Sequence, residues 1–216
     1  MRKAYIYICD DIDGLGEGFV PENIHRLPVF RQDKCNRYRQ DADKKSCILS
    51  YLLLSEGLRE QYGISGHVEF TCNERGKPYL KGYPHIFFSV SHCKKGVACA
   101  VADFEIGIDM QDMRPFDIAV AKRVCSQKEL RQLADAENPA RGFCSMWTRK
   151  ESYAKARGIG IADILKHDLD DTGFIDWETT DYCVSLFSAA CFEGNNCEVK
   201  YLNYFPRAAS CFENKK

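Results

Sequence analysis

The sequence lacks an excess of charge of either sign. Thirty basic residues against 31 acidic leave a formal net charge of −1, whereas an extended nucleic-acid footprint needs clustered surplus Lys and Arg. No nucleic-acid partner is expected. Apolar runs of roughly 18 residues or more are missing too, so no membrane span is expected. The one N-terminal apolar stretch, Ala4 to Cys9, runs straight into Asp10 and Asp11 and is too short for a secretory signal. A soluble, cytoplasmic protein is the expectation. The twelve cysteines are scattered singly with no C-x-x-C among them, which excludes zinc-ribbon, thioredoxin and haem-attachment patterns. Several sit inside apolar runs, such as Cys99 in Val97-Ala98-Cys99-Ala100-Val101. They read as reduced thiols used as small core residues. Low-complexity tracts and fixed-period repeats are absent, and no regular βαβ alternation is legible.

What is present is ordinary globular composition. The chain has 216 residues, 45% apolar and 28% charged, enough for one large domain or two small ones. Lys3 to Cys9 alternates as a first strand. Residues 14–40 are rich in Gly, Pro and charge and show little periodicity. A helix is predicted from about Ala42 to Tyr62, with Gly63 as its stop. Short runs at His67–Cys72, His85–His92, Gly96–Asp103 and Glu105–Gln111 read as strands. Beyond Pro115 the pattern turns helical, and Ser126-Gln127-Lys128-Glu129 is a capping box. A further helix is predicted from about Gly142 to Arg157. Two last strands, Asp181–Phe192 and Cys197–Phe205, flank the turn sequence Glu193-Gly194-Asn195-Asn196. The class is α+β, with two similar lobes, 1–104 and 105–216.

Three segments could carry chemistry. In Ile106-Gly107-Ile108-Asp109-Met110-Gln111, strand alternation puts Gly107, Asp109 and Gln111 on one face. Two oxygen-bearing side chains beside a bare glycine suit a hard cation and a phosphate; a solvated edge strand would show the same pattern. In Trp147-Thr148-Arg149-Lys150-Glu151-Ser152-Tyr153-Ala154-Lys155, helical spacing sets Trp147, Glu151 and Lys155 along one stripe. Taken alone, Glu151 and Lys155 are an ordinary surface pair. In Gly76-Lys77-Pro78, proline biases Lys77 to an extended backbone and presents its cation from a stiff turn. Ser91 and His92 end the Ser89-Val90-Ser91-His92 strand, where they could donate to phosphate oxygens. No Ser-His-Asp spacing is legible, and His25, His67, His85 and His167 have no ligand spacing. Lys34 and Lys45 belong to a basic stretch before and at the start of the long helix, and such runs are mostly solvated faces.

Taken in order, Gly-Lys-Pro, Ser-x-Ser-His, Gly-Ile-Asp-x-Gln and Trp-x-x-Lys-Glu-x-x-x-Lys resemble the motifs of the 4′-phosphopantetheinyl transferases. Chain length and the Trp-x-x-Lys-Glu helix resemble the monomeric Sfp-type branch of that superfamily, and Gly158-Ile159-Gly160-Ile161 resembles its Gly-x-Gly-Leu ending. The resemblance spans roughly residues 31 to 161. It implies a pseudo-dimer of two α+β lobes with coenzyme A and Mg²⁺ in the cleft between them. It implies transfer of phosphopantetheine from coenzyme A to a serine of an apo acyl or peptidyl carrier protein, releasing adenosine 3′,5′-bisphosphate. By the resemblance, Asp109, Gln111 and Glu151 match the metal-binding positions, and Glu151 also matches the residue that deprotonates the attacking serine. Lys155 matches the pyrophosphate lysine. Lys77, Pro78, Ser91 and His92 match residues on the nucleotide and its 3′-phosphate, while Lys34 and Lys45 match basic residues on coenzyme A phosphates. Carrier contact is implied at about Met113 to Leu133. The family usually carries an acid where this chain has Gln111, and often arginine where it has Lys45. Two rival readings follow: a degenerate member that binds coenzyme A or carrier without turnover, and an unrelated metal-dependent phosphoesterase built on Asp109 and Glu151.

Overall fold

Alternation along the first strand decides the layering. In the computed structural model, which describes residues 3–190 and 197–204, strand β1 runs from Ala4 to Cys9. Ala4, Ile6 and Ile8 enter one apolar core, and Tyr7 and Cys9 enter another on the opposite face. β1 is antiparallel to β5 (Val97–Ala102), which in turn is antiparallel to β4 (Phe87–His92). On the Tyr7 side lies helix α3 (Asp41–Tyr62), whose Ile48, Leu49, Leu53, Leu54 and Leu58 fill the first core. Gly63 ends it with a φ of 66°, a left-handed residue closing the last turn.

On the other side lies a second sheet. It comprises β6 (Gly107–Asp112), β8 (Tyr182–Phe187) and β7 (Phe174–Glu178), all antiparallel. Ile108, Met110, Val184 and Leu186 meet Ile6, Ile8, Ala98, Ala100 and Ala102 between the sheets. The alanines let the two sheets close on one another. Helix α6 (Pro139–Arg157) covers the far face of the second sheet. The result is four layers: helix, sheet, sheet, helix.

The two halves repeat one connectivity. A first strand (β1, β6) leads to a long helix (α3, α6), then to two strands (β4–β5, β7–β8), and the last of these pairs with the first strand. The α+β architecture and its internal duplication match the expectation. In the first half, α1 (Phe19–Asn23) and α2 (Val29–Arg37) precede α3, and a small hairpin of β2 (Phe70–Cys72) and β3 (Pro78–Leu80) follows it. In the second half, α4 (Ile118–Val124) and α5 (Gln127–Asp135) precede α6.

Several expectations are corrected. Residues 14–40 are not irregular: α1 and α2 occupy 19–23 and 29–37, short helices whose patterns Pro21 and Pro28 interrupt. The helix expected from Gly142 begins at Pro139, because Asn138 caps it by accepting from the Arg141 amide and proline suits the first turn. Strands β3 and β7 went unread. The last strands do not form a hairpin: β8 lies between β6 and β7, while β9 (Cys197–Tyr201) runs parallel to β1. Residues 191–196, with the turn sequence, and Phe205 lie outside the described residues. Ten cysteines among the described residues are free thiols, seven of them buried and five of those in the apolar cores; Cys191 and Cys211 lie outside. Among the described residues no helix is long and apolar enough to cross a membrane.

Candidate active site

Gly107 sets how close α6 comes to β6. A Cβ placed there would lie 2.0 Å from the Ser152 carbonyl oxygen and 2.5 Å from the Ala156 amide nitrogen. Only a glycine allows that approach. With Ile108 and Met110 committed to the inter-sheet core, alternation turns Asp109 and Gln111 toward the helix. On the helix, the Trp147–Glu151–Lys155 stripe faces them.

Asp109 is buried, at 5% exposure. Its Oδ1 accepts from Ser91 Oγ at 2.7 Å and from Lys155 Nζ at 2.6 Å, and Lys155 Nζ also donates to Ser91 Oγ at 2.9 Å. One atom each from β4, β6 and α6 therefore closes a ring across both halves. Both bonds to the carboxylate fall on Oδ1. Half-buried Glu151 sits beside the ring: burial, then the Asp109 charge, push its carboxyl above the usual range, partly offset by Lys155. Among the described residues no group of three or more His, Cys, Asp or Glu forms a ready metal cage. Two adjacent carboxylates do fit a hard cation that takes its remaining ligands from water and phosphate.

From this ring a cleft of about 400 Å³ extends between the halves. Arg31 and Lys34 of α2, Arg75, Lys77 and Pro78 of the small hairpin, and His92 and Lys155 line it. Lys34, Pro78, His92 and Lys155 are thus brought together along one cleft. Lys77 lines the cleft differently from its expectation. Its ammonium, in a side chain only 8% exposed, donates to the Ala156 carbonyl and lies 3.6 Å from Glu105. It holds the hairpin to the end of α6, and burial lowers its pKa. His92 is also held below the usual histidine range, first by burial and then by the Lys155 charge, with Asp43 opposing and Lys34 adding to the depression. Lys45 is a correction. Its ammonium donates to the Leu15 carbonyl at 2.6 Å and pairs with Asp41 at 3.0 Å. The face of α3 that meets the cleft carries Asp43, Cys47 and Ser50 instead, and Lys45 is turned away from them.

Gln111 lines a second, more apolar groove of about 370 Å³ with Pro115, Val120, Val124, Phe143 and Trp147. Its amide nitrogen is 3.5 Å from the Asp112 carbonyl. Val120, on α4, lines this groove at 42% exposure, and Ile118 on the same helix is 50% exposed.

Sequence reading missed Arg75, Asp43 and the role of Ser89, whose Oγ accepts from the Ile108 amide at 3.0 Å. It also missed Lys150. That side chain is 1% exposed, 2.9 Å from Glu129, and donates to the His167 carbonyl. Glu129 is at the same time the capping-box acid of α5. The buried pair fixes α5 against α6.

Comparison with known proteins bears on this arrangement. Residues 105–202 match the family model of the 4′-phosphopantetheinyl transferase superfamily. A 4′-phosphopantetheinyl transferase of Bacillus subtilis is 31% identical over 158 residues, covering 70% of each chain. The chain belongs to the 4′-phosphopantetheinyl transferase superfamily. Two further relatives place it with the Sfp-type members. The 4′-phosphopantetheinyl transferase Sfp of Bacillus subtilis (strain 168) is 30% identical over 135 residues, 61% of this chain and 60% of that one. The 4′-phosphopantetheinyl transferase gsp of Aneurinibacillus migulanus is 27% identical over 204 residues, 91% of this chain and 84% of that one. The protein is a transferase. Membership removes the unrelated phosphoesterase from consideration. The matched region 105–202 holds Asp109, Glu151 and Lys155, whereas much of the cationic cleft wall comes from the first half.

Proposed function

We propose that this transferase moves the 4′-phosphopantetheine arm of coenzyme A onto a serine hydroxyl of an apo acyl or peptidyl carrier protein, with Mg²⁺ as cofactor. The observation that carries the reading is the Asp109–Lys155–Ser91 ring beside Glu151, at the end of a cleft walled by cations. Arg31, Lys34 and Arg75 present positive charge where the coenzyme A phosphates enter. Lys155, one bond from Asp109, is placed for the pyrophosphate. Asp109 and Glu151, with the Gln111 amide oxygen on the same strand face, are the residues that would hold Mg²⁺. Bound there, the ion would neutralise charge on the phosphates as the reaction proceeds.

Phosphoryl attack asks the protein mainly for alignment and charge stabilisation. Glu151 supplies the remaining need. With its pKa raised above the ordinary carboxylate range, it accepts the serine proton more readily than a solvated acid. As the serine Oγ–P bond forms, the P–O bond to adenosine 3′,5′-bisphosphate breaks and that nucleotide leaves with the electron pair. The carrier docks on the groove of Val120, Val124, Phe143 and Trp147, within and beside the expected 113–133 surface. Lys94, Lys95 and Arg114 line an adjoining pocket and give that surface a basic rim. One chain supplies both sides of the cleft, which supports a monomeric working unit. The free thiols support the cytoplasm as its compartment.

The test is incubation with coenzyme A, Mg²⁺ and an apo carrier, followed by the carrier's intact mass. Gain of one phosphopantetheine group on the serine is the expected result. Coenzyme A binding with no gain would replace this reading with that of a member without turnover.

A further inference from the structure

Ser91, on β4, has the right residue type for phosphate contact and the wrong bonds for it. A hydroxyl has one hydrogen to donate. The Ser91 hydrogen goes to Asp109 Oδ1 at 2.7 Å, and its oxygen accepts from Lys155 Nζ at 2.9 Å. Ser91 is 6% exposed and does not line the cleft. Two residues earlier, on the same strand face, Ser89 Oγ accepts from the Ile108 amide at 3.0 Å. That amide precedes Asp109 on β6. The two serines thus grip the metal-site strand at adjacent residues, from a strand of the other half.

We infer that Ser91 is a positioning residue: with Ser89 fixing β4 against β6, it sets the orientation of the Asp109 carboxylate and of the Lys155 ammonium, and it does not bind the nucleotide phosphate. This rests on the proposed roles of Asp109 and Lys155. Ser91 and Lys155 both hold Oδ1, so Asp109 keeps one rotamer. Without the hydroxyl, Lys155 and Asp109 still attract one another, but the carboxylate loses its second anchor. A hydrogen-bonding partner behind a metal ligand is typically worth about 10- to 100-fold in metal affinity or activity.

The test uses Mn²⁺ alone, titrated into the intact protein and followed by electron paramagnetic resonance, with Asp109→Ala defining the Asp109-dependent binding. Ser91→Ala and the nearly isosteric Ser91→Cys, folded by thermal melt, should weaken that binding about tenfold. Ser91→Thr, which returns the hydroxyl, should restore it. A second arm compares coenzyme A with 3′-dephospho-coenzyme A. A positioning role lowers kcat for both donors alike, whereas a phosphate contact would weaken binding of coenzyme A alone. Wild-type Mn²⁺ affinity in both Ser91→Ala and Ser91→Cys would overturn the inference, as would a loss confined to the 3′-phosphorylated donor. The Mn²⁺ arm needs neither coenzyme A nor carrier, so it fails independently of the transfer reaction.

Discussion

Helices α3 and α6 occupy equivalent places in the two halves and are built of different material. α3 buries Ile48, Leu49, Tyr51, Leu52, Leu53, Leu54 and Leu58. α6 buries Cys144, Thr148, Lys150, Ser152, Ala154 and Ala156. Large aliphatic side chains hold α3 at arm's length from its sheet, and hydrophobic burial stabilises it. Small residues let α6 rest almost on the backbone of β6, where Gly107 has no side chain to intervene. That proximity brings Glu151 and Lys155 to Asp109. One helix is a scaffold that lends a cleft wall; the other spends its buried face on holding chemistry in register. Duplication of a fold unit thus leaves one copy free to specialise.

The largest effect expected from breaking this contrast is at Lys150. Removing one member of a buried ion pair leaves the other uncompensated, typically at a cost of about 3–5 kcal/mol. Lys150→Ala should lower stability in chemical denaturation by that order, and pairing it with Glu129→Gln should recover part of the loss. On α3, Leu53→Ala should cost a similar amount, about 2–5 kcal/mol, yet leave kcat of the folded fraction near wild type.

The glycines sharpen the comparison further. At Gly107 a methyl would strike backbone atoms that cannot move without shifting α6. Gly107→Ala should cost about 1–3 kcal/mol or more, and a displacement near 1 Å should lower transfer by about a hundredfold. At Gly57 of α3 the methyl would meet Tyr7 and Val101 side chains at 3.0–3.2 Å, which can give by tenths of an ångström. The gain of up to about 1 kcal/mol from alanine in a helix offsets that crowding. Gly57→Ala should therefore melt within a few degrees of wild type and transfer normally. Equal losses of transfer in the two variants would erase the distinction between the helices.

A smaller effect is expected at His92. Its folded pKa lies below its unfolded value, so the unfolded chain binds the proton more tightly. Its contribution to stability is present above the unfolded pKa and is lost as pH falls toward the depressed folded one. A bound phosphate favours the protonated ring. Coenzyme A affinity by calorimetry should rise about two- to fivefold as pH drops from about 7.5 to 6, the scale of an exposed ion pair. His92→Asn should flatten that profile. The smallest change is expected at Gln111, where an amide oxygen lacks a carboxylate's charge. Gln111→Glu should lower the Mg²⁺ needed for half-maximal transfer, and Gln111→Ala should raise it modestly; superimposed Mg²⁺ curves would remove Gln111 from the metal's surroundings.

The same contrast explains what could be read from the sequence. Asp109 and Gln111 follow from strand alternation, and Glu151 and Lys155 from helical spacing, because both periodicities are local. The capping box at Ser126–Glu129 is local too, and it is present. Bonds between segments were not legible. Nothing in Ser-x-Ser-His shows that Ser91 donates to a carboxylate 18 residues away. Lys150 sits in a charged run that reads as solvated, and only its partner on α5 makes burial tolerable. Lys45 was misread because the cleft-facing side of α3 is set by packing against the first sheet. The last strands looked like a hairpin because their turn sequence is local, whereas the pairing of β9 with β1 joins positions nearly 200 residues apart.

On the proposed function, the second half's helix carries the reaction while the cationic cleft carries binding. Single-turnover transfer to an apo carrier, read by intact mass for wild type and Glu151→Gln at saturating coenzyme A and Mg²⁺, tests it most directly. Wild type should modify the carrier serine once, and Glu151→Gln should do so at least about a hundredfold more slowly. Transfer by Glu151→Gln at the wild-type rate would contradict the account.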